Sequence, residues 1–279
     1  MTGAIKNEGV VWSSDLTSYQ QTLPSLLEST GLLDAVIEHT TIVIKPNLVE
    51  ALDPPITTDV GLVEALVDYL LSHNKNIKII VGEGTGSLEY DTFYCFERLG
   101  YLPLQDKDRV ELLDLNIEPC RRLVNSNCTR WPEMFLPELL FNSFLISVPV
   151  LKAHSMSRVT LTMKNMMGCA PPAHFQQGGA WGKSSFHTRL DEAVFDLNRY
   201  RTPDFTVVDA AVGMAQAHLW GPTCNPPVEK VCAAYDPVAI DAYGTSLLKR
   251  SWKDIGHIRM AHGILGTADS LDIREPIIV

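Results

Sequence analysis

The 279-residue chain lacks the sequence features of several common protein classes. Its six cysteines include no C-x-x-C pair, which argues against a zinc ribbon, a thioredoxin motif and a ferredoxin-type iron–sulfur cluster. No apolar run is long enough to span a bilayer. The N-terminal residues show no basic segment followed by an apolar stretch, so neither a signal nor a transit peptide is expected. We therefore predict a cytoplasmic protein whose thiols are reduced.

The chain is also poor in positive charge. It has 23 Lys and Arg against 33 Asp and Glu, which gives a formal net charge of −10. A protein with this balance has no overall field that attracts nucleic acid or anionic lipid, so neither is expected as a partner. Any bound anion must be held by a local group of cations. The hydrophobic content of 46% is typical of a globular protein and excludes a disordered chain, collagen and a small disulfide scaffold.

Short apolar runs alternate with helical patterns along the chain. The runs are rich in Val and Ile, and they predict buried strands at 10–12, 41–44, 77–81, 110–113, 144–150, 205–208 and 231–234. Apolar residues at i, i+3, i+4 and i+7 spacing predict helices at 59–71 and 190–197, and Asp236-Pro237 predicts the start of a third. This alternation predicts an α/β fold with a mainly parallel sheet flanked by helices. We expect one domain over residues 1–279.

Two segments interrupt the alternation. Residues 168–185 have little apolar periodicity and are expected to form a long excursion loop, a type of segment that often serves as a lid or a binding loop. The earlier residues 116–137 are rich in proline and are interpreted as another excursion or as part of a small subdomain. In chain order, residues 116–137 are called the first excursion and residues 168–185 the second.

Polar or glycine-rich residues follow four of the predicted strands directly. Ligands of open parallel sheets bind beyond the carboxyl ends of the strands, so these residues are the candidates for a site. They are Lys45 and Asn47 after the second run, Gly82, Glu83 and Gly84 after the third, Lys152 and His154 after the fifth, and Asp209 after the sixth.

Lys152 and His154 are two residues apart, so both side chains leave the same face if the strand extends that far. A cation beside an imidazole can hold a carboxylate or phosphate while the imidazole moves a proton. The alternative is a solvated Lys and a His that caps a carbonyl. The glycines of residues 82–86 suit either an anion cradle of backbone N–H groups or a simple tight turn. Glu83 would repel an anion there unless it binds a cation or is protonated.

Further candidates flank the second excursion. Lys164 and Asn165 lie among methionines, so Lys164 is either paired in the core or directed at a ligand. His187 follows the excursion and either faces the same cavity or lies on the surface. Residues 178–184 resemble a P-loop but are one residue short and follow no strand, so a Walker motif is rejected.

Six segments together resemble the prokaryotic family called domain of unknown function 362. They are Val43-Ile44-Lys45-Pro46-Asn47-Leu48-Val49, Thr57-Thr58-Asp59, Gly82-Glu83-Gly84, residues 146–154, Met163-Lys164-Asn165-Met166-Met167-Gly168 and Asp236-Pro237-Val238-Ala239-Ile240-Asp241. The resemblance runs in order over most of the chain.

The resemblance implies a site at nearly the same residues that the strand ends select. The family pattern maps onto Lys45, Asn47, Lys152, His154, Lys164, Asn165, His187 and Asp209. Many members of the family carry a ferredoxin-like module with clustered cysteines and are called iron–sulfur proteins. This chain has no such cysteine run, which indicates the core domain alone.

Three functional hypotheses follow. The first is an enzyme that binds an anionic substrate through Lys45, Lys152 and Lys164. Lys152, His154 and His187 would carry out acid/base chemistry such as isomerisation or elimination. The further binding residues would be Asn47, Asn165, Asp209 and residues 82–84. The second is a metal-binding protein or redox partner in which His154, His187, Cys169 and an Asp hold a divalent or transition metal. The third is a non-catalytic module that closes residues 168–185 over a metabolite.

Overall fold

Eight strands form the main path of a large sheet. A computed structural model of the chain describes residues 6–277. In chain order its strands are β1 (Val10–Asp15), β2 (Thr41–Pro46), β3 (Lys78–Glu83), β4 (Val110–Asp114), β5 (Cys120–Val124), β6 (Glu133–Pro137), β7 (Phe144–Val148), β8 (Val150–His154), β9 (Arg158–Thr160), β10 (Phe205–Met214), β11 (Lys230–Ala234) and β12 (Asp272–Arg274). Each of the seven predicted runs lies in strand structure, with the run at 144–150 divided between β7 and β8. The order across the sheet is β12-β1-β11-β10-β7-β2-β3-β4.

The centre of this sheet is parallel, as the sequence predicts. Strands β10, β7, β2, β3 and β4 pair in parallel, whereas β11 pairs antiparallel with both β1 and β10. The fold is therefore α/β, with a large and mostly parallel mixed sheet between helices. Parallel neighbours need a crossover, and the predicted helix at 59–71 supplies the one between β2 and β3.

Helices cover both faces of the sheet. In chain order they are α1 (Tyr19–Thr30), α2 (Leu32–Val36), α3 (Val60–His73), α4 (Thr92–Arg98), α5 (Thr162–Asn165), α6 (Pro172–Phe175), α7 (Leu190–Tyr200), α8 (Pro237–Leu247) and α9 (Gly256–Ala261). The predicted caps are confirmed: the Asp59 carboxylate accepts from the Gly61 N–H, and the Asp236 carboxylate accepts from the Val238 and Ala239 N–H groups.

Successive strand residues point to opposite faces and so build two separate hydrophobic cores. In β2, Ile42 and Ile44 belong to the core under α1 to α4, and Val43 belongs to the core under α5 to α9. The same alternation recurs in β3 and β7. The near-continuous apolar runs of the sequence reflect strands that are buried on both faces.

The predicted run at 144–150 is two strands rather than one. Pro149 has no N–H group to donate, and the chain changes partners there: β7 pairs with β2 and β10, whereas β8 pairs with β10 and β9. This break carries Lys152 and His154 away from the centre of the sheet.

The two excursions have structure of their own and pack against each other. Within 116–137, β5 and β6 form an antiparallel hairpin. Within 168–185 there are short helical turns, including α6. The Trp131 ring, beside the hairpin, packs on Phe175 and Phe186 with ring centroids 5.2 and 5.0 Å apart, and the Phe135 ring stacks on His174 at 4.0 Å. Among residues 6–277, no helix combines the length and apolar character needed to cross a membrane.

Candidate functional site

A cavity of about 90 Å³ lies beyond the carboxyl ends of β2, β3 and β8. Its walls collect most of the candidate residues of the sequence, together with residues from the second excursion. The lining residues are Asn47, Val49, Glu83, Gly84, Gly86, Lys152, His154, Thr160, Lys164, Asn165, Met167, Gly168, Trp181, Lys183, His187 and His218.

An almost completely buried ion pair lies next to this cavity. The Lys45 ammonium is 2.9 and 3.0 Å from the two oxygens of the Glu83 carboxylate, and the side chains are 0% and 2% exposed. Lys45 also donates to the Pro46 carbonyl. The Glu83 oxygens accept further bonds from the Leu48 and Gly84 N–H groups at 2.9 and 2.8 Å. Lys45 is thus neutralised within the protein, and it does not line the cavity.

Two asparagines connect this ion pair to Lys152. The Asn165 Oδ1 accepts from Lys45 and from Asn47 Nδ2, at 3.2 and 2.9 Å. The Asn47 Oδ1 then accepts from the Lys152 ammonium at 2.6 Å, and Lys152 also donates to the Ile56 carbonyl at 2.6 Å. Because each amide uses its oxygen toward a lysine, the chain of bonds fixes the orientation of both side chains.

The glycine loop after β3 lets another segment of the chain pack closely against it, but it offers no free backbone N–H group at residues 84–86. The Gly84, Thr85 and Gly86 N–H groups donate to Glu83 Oε1, Thr92 Oγ1 and the Val49 carbonyl, so none is left to cradle an anion. A Cβ atom at Gly84 would collide with the Gly168 carbonyl and with Lys183. The absence of a side chain therefore lets the second excursion approach β3.

Lys183 enters the site from the second excursion, although it is not among the residues predicted from the strand ends. Its ammonium donates to Asn116 Oδ1 at 2.9 Å and to the Gly168 carbonyl at 2.8 Å, and burial lowers its pKa to about 8. The only signal was the stretch 178–184, which we rejected as a P-loop. Its lysine reaches the cavity without the phosphate-binding turn of that motif.

Three imidazoles line the cavity, and burial lowers the pKa of each. His154 Nδ1 accepts from the Met156 and Ser157 N–H groups at 3.0 and 3.1 Å, so its hydrogen resides on Nε2. Burial, with the nearby Lys164 charge, lowers the pKa of His154 and His187, and it lowers that of His218 to about 4. The His154 and His218 rings stack at 3.8 Å. His218 lies in an irregular loop after β10 and gave no sequence signal.

Lys152 and Lys164 complete the polar lining. Burial lowers the pKa of Lys152 to about 7, with the Lys164 charge as the next cause, and burial lowers the pKa of Lys164 to about 8. Within residues 6–277, the Lys164 ammonium has no hydrogen-bond partner. The predicted site residues Asn47, Glu83, Gly84, Lys152, His154, Lys164, Asn165 and His187 therefore share one cavity.

Gly82 and Asp209, like Lys45, lie outside the cavity lining. Gly82 packs against Leu115 within the sheet. Asp209 accepts from the Tyr19 hydroxyl at 3.0 Å and from the Asp59 N–H at 3.3 Å, and burial raises its pKa. The apolar run at 205–208 placed Asp209 at a strand end, but β10 continues to Met214, so Asp209 lies in the middle of the strand.

The ligand set of the metal hypothesis is not assembled in the described part of the chain. No group of three His, Cys, Asp or Glu side chains there is placed to hold a metal ion. Cys169 is buried outside the cavity lining, and burial raises the pKa of its thiol to about 11, whereas metal binding needs the thiolate.

A mostly parallel sheet with polar residues gathered beyond its strand ends defines an α/β protein with a candidate ligand site at the sheet edge. The sequence matches the family described as Domain of unknown function (DUF362) over residues 42–246. The chain belongs to this family, as its motifs predicted.

Among solved structures, the chain is similar to the lactate racemase apoprotein from Thermoanaerobacterium thermosaccharolyticum, with a TM-score of 0.44 and 15% identity. The similarity covers 72% of this chain and 50% of that one, so this chain spans about half of the matched protein. The search of curated proteins found no match.

Proposed function

We propose that the cavity binds a small carboxylate or phosphate and that its lysines and histidines carry out acid/base chemistry on this ligand. The observation that carries the proposal is the charge of the lining. Lys152, Lys164 and Lys183 share one cavity, and the lining residues include one carboxylate, Glu83, whose oxygens are used by Lys45 and two backbone N–H groups. Three cations therefore face the cavity without a counter-charge from its walls.

An anion would remove the cost of burying these cations. A charge that is removed from water without a counter-charge is unfavourable. This cost disfavours the protonated form of the three lysines and lowers their pKa values. The whole chain is acidic, so the positive character of the cavity is local. We therefore expect anion binding to raise the three pKa values and to take up protons from solution near pH 8.

Lys152 is the best-placed group for proton transfer, and His154 lies beside it as a hydrogen-bond donor. Two hydrogens of Lys152 are directed at Asn47 and Ile56, so its third position holds either a proton or, in the neutral amine, a lone pair. A pKa of about 7 allows both forms at neutral pH. His154 offers its Nε2 hydrogen to a ligand, and His187 completes the set. Proton abstraction beside a carboxylate, isomerisation and elimination all fit such a pair.

Binding is tested by calorimetric titration with phosphate and with a panel of small carboxylates. Lys164→Met and Lys183→Met are expected to weaken binding at least about 10-fold each, because each removes a charged hydrogen-bond donor of about 1.5–3 kcal/mol. Lys75→Met, at an exposed position far along the sequence, is the control and should bind like wild type. Equal affinities in all four proteins would overturn the proposed site.

Catalysis is tested by incubating each bound carboxylate in heavy water and following exchange of its α-hydrogen by NMR. Lys152→Met and His154→Phe should abolish exchange, while thermal unfolding shows whether each variant is folded. Tight binding with no exchange and no product would instead favour the non-catalytic metabolite-binding module.

A further inference from the structure

Lys164 differs from the other lysines in and beside the cavity. Lys45, Lys152 and Lys183 each donate hydrogen bonds to at least two acceptors of the protein. The Lys164 ammonium lines the same cavity, yet it makes no hydrogen bond to the protein within residues 6–277. The folded chain therefore supplies a cavity lysine whose nitrogen is free to react.

The Lys164 charge is also central to the electrostatics of the site. It is the largest charge effect lowering the pKa of Lys152, His154, His187 and His218. Any reaction that removes this charge, or moves it onto a ligand, changes the protonation of the other polar groups around the cavity.

We propose that Lys164 forms an imine with the carbonyl carbon of a small oxo acid bound in the cavity. The inference rests on the proposed function, because the acid group of the ligand would be held by Lys152 and Lys183. It adds a covalent step and narrows the ligand class to anions with an aldehyde or ketone group.

The hydrogen-bond pattern explains why Lys164 is the reacting lysine. An imine nitrogen carries at most one hydrogen, so Lys152 or Lys183 would give up a bond to a buried acceptor when it reacted, and an unsatisfied buried acceptor is unfavourable. Lys164 gives up none. Burial does not separate Lys164 from Lys152 and Lys183, but it makes Lys164 more reactive than an exposed lysine: a pKa of about 8 leaves a neutral amine fraction near pH 7.5 that is on the order of 100-fold larger than in an ordinary lysine.

The step balances without an oxidant or a reductant. The neutral Lys164 amine attacks the carbonyl carbon and forms a C–N bond, while the C=O π pair moves to oxygen, which takes a proton. The nitrogen loses two protons in all and the oxygen gains a second one, so the oxygen leaves as water and a C=N bond remains. The protonated form of Lys152, whose pKa is about 7, can give a proton, and the neutral imidazole of His187 can accept one. The His154 Nε2 hydrogen can donate a hydrogen bond to the carbonyl oxygen.

The experiment is reductive trapping with glyoxylate, the smallest oxo acid, and sodium cyanoborohydride at about pH 7.5. Hydride adds to the imine carbon and leaves a carboxymethyl group, which peptide mass spectrometry locates. At low glyoxylate concentration we expect modification of Lys164 to exceed that of an exposed lysine such as Lys75 by on the order of 100-fold, the ratio of their neutral fractions. Excess phosphate should suppress the reaction.

Lys164→Arg is the main variant, because it keeps the charge but forms no stable imine, and Lys75→Arg is its control. We expect Lys164→Arg to remove the fast modification, whereas Lys75→Arg should leave both the modification of Lys164 and phosphate binding like those of wild type. Modification no faster at Lys164 than at Lys75, or preferential modification of Lys152 or Lys183, would overturn the inference. If the protein binds phosphate but no imine is trapped, the imine is contradicted and the proposed function stands. If an imine is trapped, phosphate does not suppress it and the protein binds no anion, the proposed function is contradicted.

Discussion

At the scale of single residues, the Lys45–Glu83 pair is the feature most sensitive to substitution. Glu83→Gln keeps the shape of the side chain but leaves the Lys45 charge buried without a counter-ion, so we expect the free energy of unfolding to fall by about 3–5 kcal/mol. Denaturant titration measures this loss. Glu111→Gln, which breaks an exposed pair with Lys78, is the control and should cost at most about 1 kcal/mol. Equal losses in the two variants would contradict the role of burial.

The lowered pKa of Lys164 predicts a pH dependence of stability. Burial lowers this pKa from 10.5 to about 8, so between those values the unfolded chain binds more protons than the folded one. The free energy of unfolding contributed by Lys164 therefore rises with pH over that window. Buried thiols and phenols titrate in the same range, so the measurement is the difference between wild type and Lys164→Met. This difference should shift in favour of wild type from about pH 8 to about pH 10. A constant difference would show that Lys164 is not desolvated.

At the scale of elements, contacts between the two excursions hold the wall of the cavity in place. Trp131 packs on Phe175 and Phe186, and the Arg130 guanidinium donates to the Ser185 carbonyl at 2.6 Å. Lys183 and His187, which line the cavity, belong to the same segment.

Trp131→Leu is predicted to loosen residues 168–187 locally. Loss of two aromatic contacts should lower the local opening free energy by about 1–3 kcal/mol, which speeds amide hydrogen exchange in this segment roughly 5- to 100-fold and weakens phosphate binding. Trp12→Leu makes a similar deletion in the other core and serves as the control. If both variants change exchange in this segment equally, the excursions do not support each other.

At the scale of the whole molecule, one sheet lies between the two hydrophobic cores and contributes side chains to both. Every central strand contributes alternate side chains to both, as Ile79 and Ile80 do in β3, so neither core can lose its packing while the other keeps it. We propose on this basis that residues 1–279 form one domain and unfold in a single cooperative transition. Circular dichroism and tryptophan fluorescence should give coincident curves, since Trp12 and Trp131 report on opposite cores. Two separate transitions would contradict a single domain.

The sequence by itself determined the α/β class and the strand positions, and it predicted much of the candidate site. Val/Ile runs and helical spacing are local patterns, so the sequence alone reveals them. Ligands of parallel sheets bind beyond the strand ends, and this rule predicts that Asn47, Glu83, Lys152 and His154 lie together. Their family motifs pointed to the same residues.

Only the tertiary structure decided which of the candidates face the cavity. Lys183 and His218 reach it from irregular segments, whose path depends on long-range packing and carries no periodic signal. Asp209 does not line the cavity, because β10 continues past the end of the apolar stretch and places Asp209 in mid-strand. Lys45 does not line the cavity either, and its charge is paired with the Glu83 carboxylate. Burial, charge pairing and the resulting pKa values come from contacts between residues far apart in the chain, and local sequence patterns do not encode those contacts.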